Sequence, residues 1–253
     1  MRRIILHIGS PKCGSTYLQR VLERARRGLP DLGLHYPRHG TGTHPGNGMV
    51  VPVITRPWLT SAFQTAPTLI LSHEDLFARA RDGRRLATLA ADMDAEVQIV
   101  TILRPFDEML LGDVSQNIKQ AQSTGMADAP ILGGRDLRQF VWARHKDIQP
   151  AHFIAEWHKA VPGPRPRVAT LYKLKRTFVD LAPELREIDW TLPQWRSNPS
   201  LPPAACAARI AAGRATSPVP DGQPTARQRA WIRSVFAGQA AALEQQFGIS
   251  LHG

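Results

Sequence analysis

The run Ile4-Ile5-Leu6-His7-Ile8-Gly9-Ser10-Pro11-Lys12-Cys13-Gly14-Ser15-Thr16 constrains this chain more than any other stretch. A short apolar segment that stops at a glycine reads as a buried strand leading into a turn. A helical pattern then runs over residues 15–27. A strand that turns through glycine straight into a helix is the first half of a β-α-β unit, and such a unit needs a parallel partner strand. Candidate partners are the apolar segments 68–71 and 97–103, and the weaker 167–171. Proline at 105 suits the first turn of another helix. Strands alternating with helical segments predict an α/β protein: a three-layer fold with a central parallel sheet of four to five strands flanked by helices. The length of 253 residues fits one such domain over 1–253. Residues 225–247 read as one closing helix that packs through Trp231, Ile232, Val235, Phe236, Leu243 and Phe247. Three long loops, 35–48, 122–134 and 190–203, are of the kind that carry lids and binding residues.

Composition narrows the class. Two cysteines, Cys13 and Cys206, make no disulfide framework, and the expectation is a reduced, cytoplasmic protein. The apolar run before Gly9 is too short for a signal peptide. No segment reaches the roughly 18 apolar residues of a membrane span. The formal charge of +11 favours anionic partners. The arginines (24, 26 and 27; 79, 81, 84 and 85; 165 and 167) are scattered and not interleaved with aromatics, so nucleic acid is not the expected partner. No zinc spacing and no G-x-S-x-G elbow occurs, and no metal site is expected.

Chemistry concentrates in the first loop. Backbone N–H groups of a glycine turn and a helix N-terminus cradle anions, and Lys12 adds a mobile positive charge. An ATP or GTP loop places lysine directly after its second glycine. Here Ser15 holds that place and the lysine lies within the loop, which disfavours an ordinary nucleoside triphosphate site. The bland alternative is a tight turn that contains Gly and Lys.

Residues 5–19, with Pro11, Lys12, Gly14, Ser15 and Thr16 at matching positions, resemble the phosphosulfate loop of sulfotransferases that use 3′-phosphoadenosine 5′-phosphosulfate (PAPS). The resemblance implies that Lys12 contacts the bridging and transferring oxygens, that backbone amides from Gly14 to Thr16 hold the 5′-phosphate, and that Pro11 and Cys13 complete the donor-binding loop. It implies PAPS as donor, 3′-phosphoadenosine 5′-phosphate (PAP) as product, and in-line transfer without a required metal. The family's second signature is an arginine at a strand end with a serine eight residues later, both on the 3′-phosphate. Arg104 matches. Gly112 stands where the serine would be, and Ser115 follows on the same helix face, roughly 4.5 Å further along the axis. Lys119 shares that face. Ser72-His73-Glu74 resembles the segment that carries the family's proposed base, which makes Glu74 the first candidate and His73 the second. The alternative for this segment is capping, with Ser72 as N-cap and Asp75 three residues on. By position, His44 and Asn47 resemble acceptor-side residues, and Arg196 a further donor contact. The implied activity is sulfuryl transfer to a hydroxyl or amine of a small metabolite, glycan or glycolipid. The competing readings are a P-loop phosphotransferase and a noncatalytic PAP-binding relative. Oligomeric state is not legible.

Overall fold

Side chains alternate across a strand, and the apolar residues of this chain use both faces. The computed structural model describes residues 1–38, 45–123, 135–192 and 225–251, with backbone alone at 117–123. Its strands are β1 (Arg2–Ile8), β2 (Leu34–His35), β3 (Thr68–His73), β4 (Ala95–Leu103) and β5 (Arg167–Thr170). Its α-helices are α1 (Ser15–Ala25), α2 (Arg56–Thr65), α3 (Gly83–Asp92), α4 (Phe106–Ser123), α5 (Leu137–Asp147), α6 (Pro150–Ala160), α7 (Leu174–Leu181), α8 (Ala226–Val235) and α9 (Ala237–Phe247). Chain contacts fall into two compact units, Met1–Leu103 with Pro150–Asn198, and Arg104–Gln149 with Pro199–Gly253.

The first unit holds one sheet of order β2-β3-β1-β4-β5, parallel throughout. Ile4 of β1 lies opposite Leu69 of β3 and Val97 of β4, so the central strand is flanked by apolar partners. On one face Ile4, Leu6, Ile8, Leu69, Leu71, Val97 and Ile99 pack with Leu59 of α2, Leu86 of α3 and Trp157 of α6. On the other, Ile5, Ile70, Val100, Ile102 and Ala169 pack with Leu18, Val21 and Leu22 of α1 and with Leu174 and Phe178 of α7. Each such side chain removed from water stabilises the fold by about 1.5–3 kcal/mol before entropy is counted. The result is a three-layer α/β fold on five parallel strands, as the alternation predicts. The two-residue β2 is too short to have shown in the pattern.

Connections set where a ligand fits in such a sheet. The chain leaves β1 towards the β2–β3 side, whereas β4 is followed in the sheet by β5 on the opposite side. Carboxyl ends of neighbouring strands whose connections diverge leave a crevice, and the glycine loop after β1 lies at that end. The turn after β3 is pinned from below: Trp157 Nε1–H donates to the carbonyls of Leu76 at 2.9 Å and Phe77 at 3.1 Å. Gly83 admits the indole, since a Cβ there would stand 2.4 Å from Trp157 Cζ3.

The second unit is helical among the described residues. Phe106 of α4 stacks on Phe236 with centroids 4.4 Å apart, and His145 of α5 meets the same ring edge-on at 5.2 Å. Buried Asp107 accepts from Arg233 at 2.9 Å, with Arg229 at 3.8 Å. The closing segment is two helices rather than one. Phe236 ends α8 and precedes α9 at φ −93°, ψ 5°, because its ring is held between Phe106 and His145. Ile232, Phe236 and Leu243 are buried, while Trp231, Val235 and Phe247 are only half-buried. Among the described residues no helix is long and apolar enough to cross a membrane.

Candidate functional site

The loop between β1 and α1 takes its shape from two residues in the left-handed region, Lys12 at φ 59° and Gly14 at φ 87°. Glycine adopts that conformation freely, whereas a lysine there stores strain of a kind found at functional sites. Gly14 is also the N-cap of α1, and a Cβ on it would come within 2.5 Å of Leu171 Cδ1. Among the described residues no side-chain cap bond closes this helix, and no acidic residue lies in its first turn. Its first N–H groups, which a helix cannot satisfy internally, are thus left to whatever binds in front of them.

Ser15 opens α1. Its Oγ is buried and has no hydrogen-bond partner among the described residues. Gly9 makes room for it: a Cβ on Gly9 would stand 2.4 Å from Ser15 Oγ and 3.0 Å from Glu74 Cα. Gly9 N–H also donates to the His73 carbonyl at 3.1 Å, tying the loop to the end of β3. Cys13 turns its thiol inward, donates to the Pro11 carbonyl at 3.3 Å and is buried among core residues, so its backbone alone is offered to a ligand.

Glu74 starts the short turn after β3 and is half-buried. Gln19 of α1 donates from Nε2 to Glu74 Oε2 at 2.9 Å and to Ser72 Oγ at 3.3 Å. Ser72 Oγ lies 2.8 Å from His7 Nδ1. His7 is fully enclosed, and burial holds its imidazole down at about 4, despite the opposing pull of Glu74. It is therefore neutral at ordinary pH. The capping residue of the turn is His73, not Ser72: its Nδ1 accepts from Asp75 N–H at 3.2 Å. Chemically, the wall offers an uncapped helix terminus, an unengaged hydroxyl and a carboxylate held by a neutral amide.

The structure thus places Gly9, Ser15, His73 and Glu74 around one loop. Asn47 is buried and serves as a latch. Its Oδ1 accepts from Ser72 N–H at 2.8 Å, and its Nδ2 donates to the carbonyls of Pro37 and Ile70, both at 3.0 Å. Arg104 and Ser115 belong to the second unit. There Arg104 donates to Glu108 Oε2 at 3.0 Å, and Ser115 is buried on α4. His44, Arg196 and the side chain of Lys119 lie outside the described residues. Sequence reasoning missed His7, Gln19 and Ser72 as a connected set. The available signal was polar residues at positions otherwise apolar: a histidine inside β1 and a glutamine beside Leu18 on the buried face of α1. Compared with protein-family models, curated proteins and solved structures, the chain matches none.

Proposed function

We propose that this chain is a sulfotransferase that takes the sulfuryl group from PAPS and passes it to a hydroxyl or amine acceptor. The observation that carries the reading is the loop itself. A lysine lies inside the glycine turn in a strained conformation, ahead of a helix that, among the described residues, has no side-chain cap and whose first hydroxyl, Ser15 Oγ, is buried without a partner. A phosphate seated there would receive helix N–H groups and that hydroxyl, and the space at Gly9 keeps the cradle open.

In the proposed step the acceptor oxygen or nitrogen forms a bond to sulfur while the bond from sulfur to the 5′-phosphate oxygen breaks. PAP leaves with the negative charge on that oxygen, where Lys12 and the helix terminus stabilise it. The acceptor proton passes to Glu74, with His73 as the alternative base. The excess of basic residues over acidic ones, +11 overall, favours an anionic acceptor such as an acidic glycan, glycolipid or metabolite. The reading places the protein in the cytoplasm.

Calorimetric titration with PAP, beside ATP and a Lys12→Ala variant, tests the donor site. Binding of PAP that weakens in the variant, with little binding of ATP, is the expected result. ATP binding in place of PAP would transfer the loop to a phosphotransferase, and binding of neither would end the assignment.

A further inference from the structure

Ser15 and Gln19 are one helical turn apart, so α1 presents the hydroxyl of the cradle and the Gln19 amide on one face. Gln19 is completely buried, and its neighbours Leu18 and Leu22 on α1 belong to the apolar core. A buried amide is costly unless it is hydrogen-bonded. Both N–H groups of Nε2 are engaged, one on Glu74 Oε2 at 2.9 Å and one on Ser72 Oγ at 3.3 Å. An ionised carboxylate only accepts, which orients the amide nitrogen towards it.

Ser72 is itself immobilised. Its N–H donates to Asn47 Oδ1, its carbonyl accepts from Asn47 N–H at 3.0 Å, and its hydroxyl meets the buried ring of His7. The amide therefore cannot swing away from Glu74 without breaking a bond to a fixed partner. Titratable groups facing Glu74 include His7 from β1 and Tyr36 from the segment after β2, with His73 and Asp75 in its own turn. Burial keeps His7 neutral and pushes the Tyr36 phenol up, so neither brings charge to the carboxylate at ordinary pH.

We propose that Gln19 is the positioning residue for Glu74: its amide holds the carboxylate in the ionised, proton-accepting form and fixes it relative to the helix that begins the cradle. The use of that proton acceptor in catalysis rests on the sulfuryl-transfer reading; the bond does not. A donor to the charged form favours ionisation, whereas partial burial without one would favour the neutral acid.

The test is carbon-13 NMR titration of the Glu74 side-chain carboxyl in the whole protein and in Gln19→Met, which matches length without donating. The midpoint is expected to rise by about one pH unit in the variant, the size of one charge-assisted hydrogen bond. In the unaltered protein the side-chain amide signals of Gln19 should move with pH at the midpoint of Glu74. That second measurement decides the matter if Gln19→Met does not fold. An unmoved Glu74 midpoint in a folded variant, or Gln19 amide signals blind to that titration, overturns the proposal. PAP binding by the same samples reports on the transfer reading separately: a shifted midpoint without PAP binding supports the clamp and removes the donor.

Discussion

Replacing Lys12 by two residues that both lack its charge separates the loop's backbone strain from its chemistry. Lys12 sits at φ 59°, in the left-handed region. That region costs an ordinary L-residue about 1–2 kcal/mol and glycine nothing comparable. Glycine in turn loses about 0.5–1 kcal/mol more backbone entropy on folding than alanine. The difference leaves Lys12→Gly more stable than Lys12→Ala by about 0.5–1 kcal/mol. Any contacts of the lysine side chain cancel, because both variants lack it. At about 2–4 °C per kcal/mol for a chain of this size, the melting temperature of the glycine variant should stand a few degrees higher. The urea midpoint should move the same way. Both variants should bind PAP poorly, so the more stable protein is no more functional. Equal stability, or a more stable alanine variant, would show that position 12 does not occupy the left-handed region and would remove the strain argument.

Two further outcomes follow from the buried charges and near-charges. His7 titrates at about 4 in the folded protein, against roughly 6.5 in the unfolded chain. Between these values the unfolded chain holds the extra proton, so the contribution of the neutral ring is complete above about 6.5 and lost as pH falls towards 4. The upper bound on the loss is about 3 kcal/mol. Urea denaturation at pH 7 and pH 5 should show a smaller drop for His7→Asn than for the unaltered protein, and an identical drop would refute the buried-histidine account. In the second unit, Asp107 is buried while Arg233 is half-exposed. Arg233→Ala leaves a buried carboxylate with only the longer contact to Arg229 at 3.8 Å, whereas Asp107→Asn releases an arginine that water can solvate. Thermal denaturation should therefore find the arginine variant the less stable of the two, and the reverse order would show that Asp107 is not the buried partner.

Legibility followed the range of the interactions. The loop at 9–16, the strands at 68–71 and 97–103 and the start of α1 were readable because strand periodicity, glycine placement and helix entry are local. The strand β2 escaped because two residues carry no period. The closing segment misled because its apolar spacing runs through Phe236 without showing that Phe106 and His145 hold that ring where the helix breaks.

The same division runs through the candidate site. Residue order alone determined that a lysine lies inside a glycine turn ahead of a helix, and that a carboxylate closes the segment after a buried strand. Only the tertiary structure decided that these belong together. Parallel pairing of β1 with β3 sets Ile8 opposite His73, which brings Gly9 against Glu74. It also joined three polar residues that the sequence left unconnected, His7, Gln19 and Ser72, into the bonded support beneath that carboxylate. The physical reason is that a buried hydrogen bond is a property of two surfaces brought face to face. One surface is written in each segment, and their alignment is set by the strand register and by the helix packed across it.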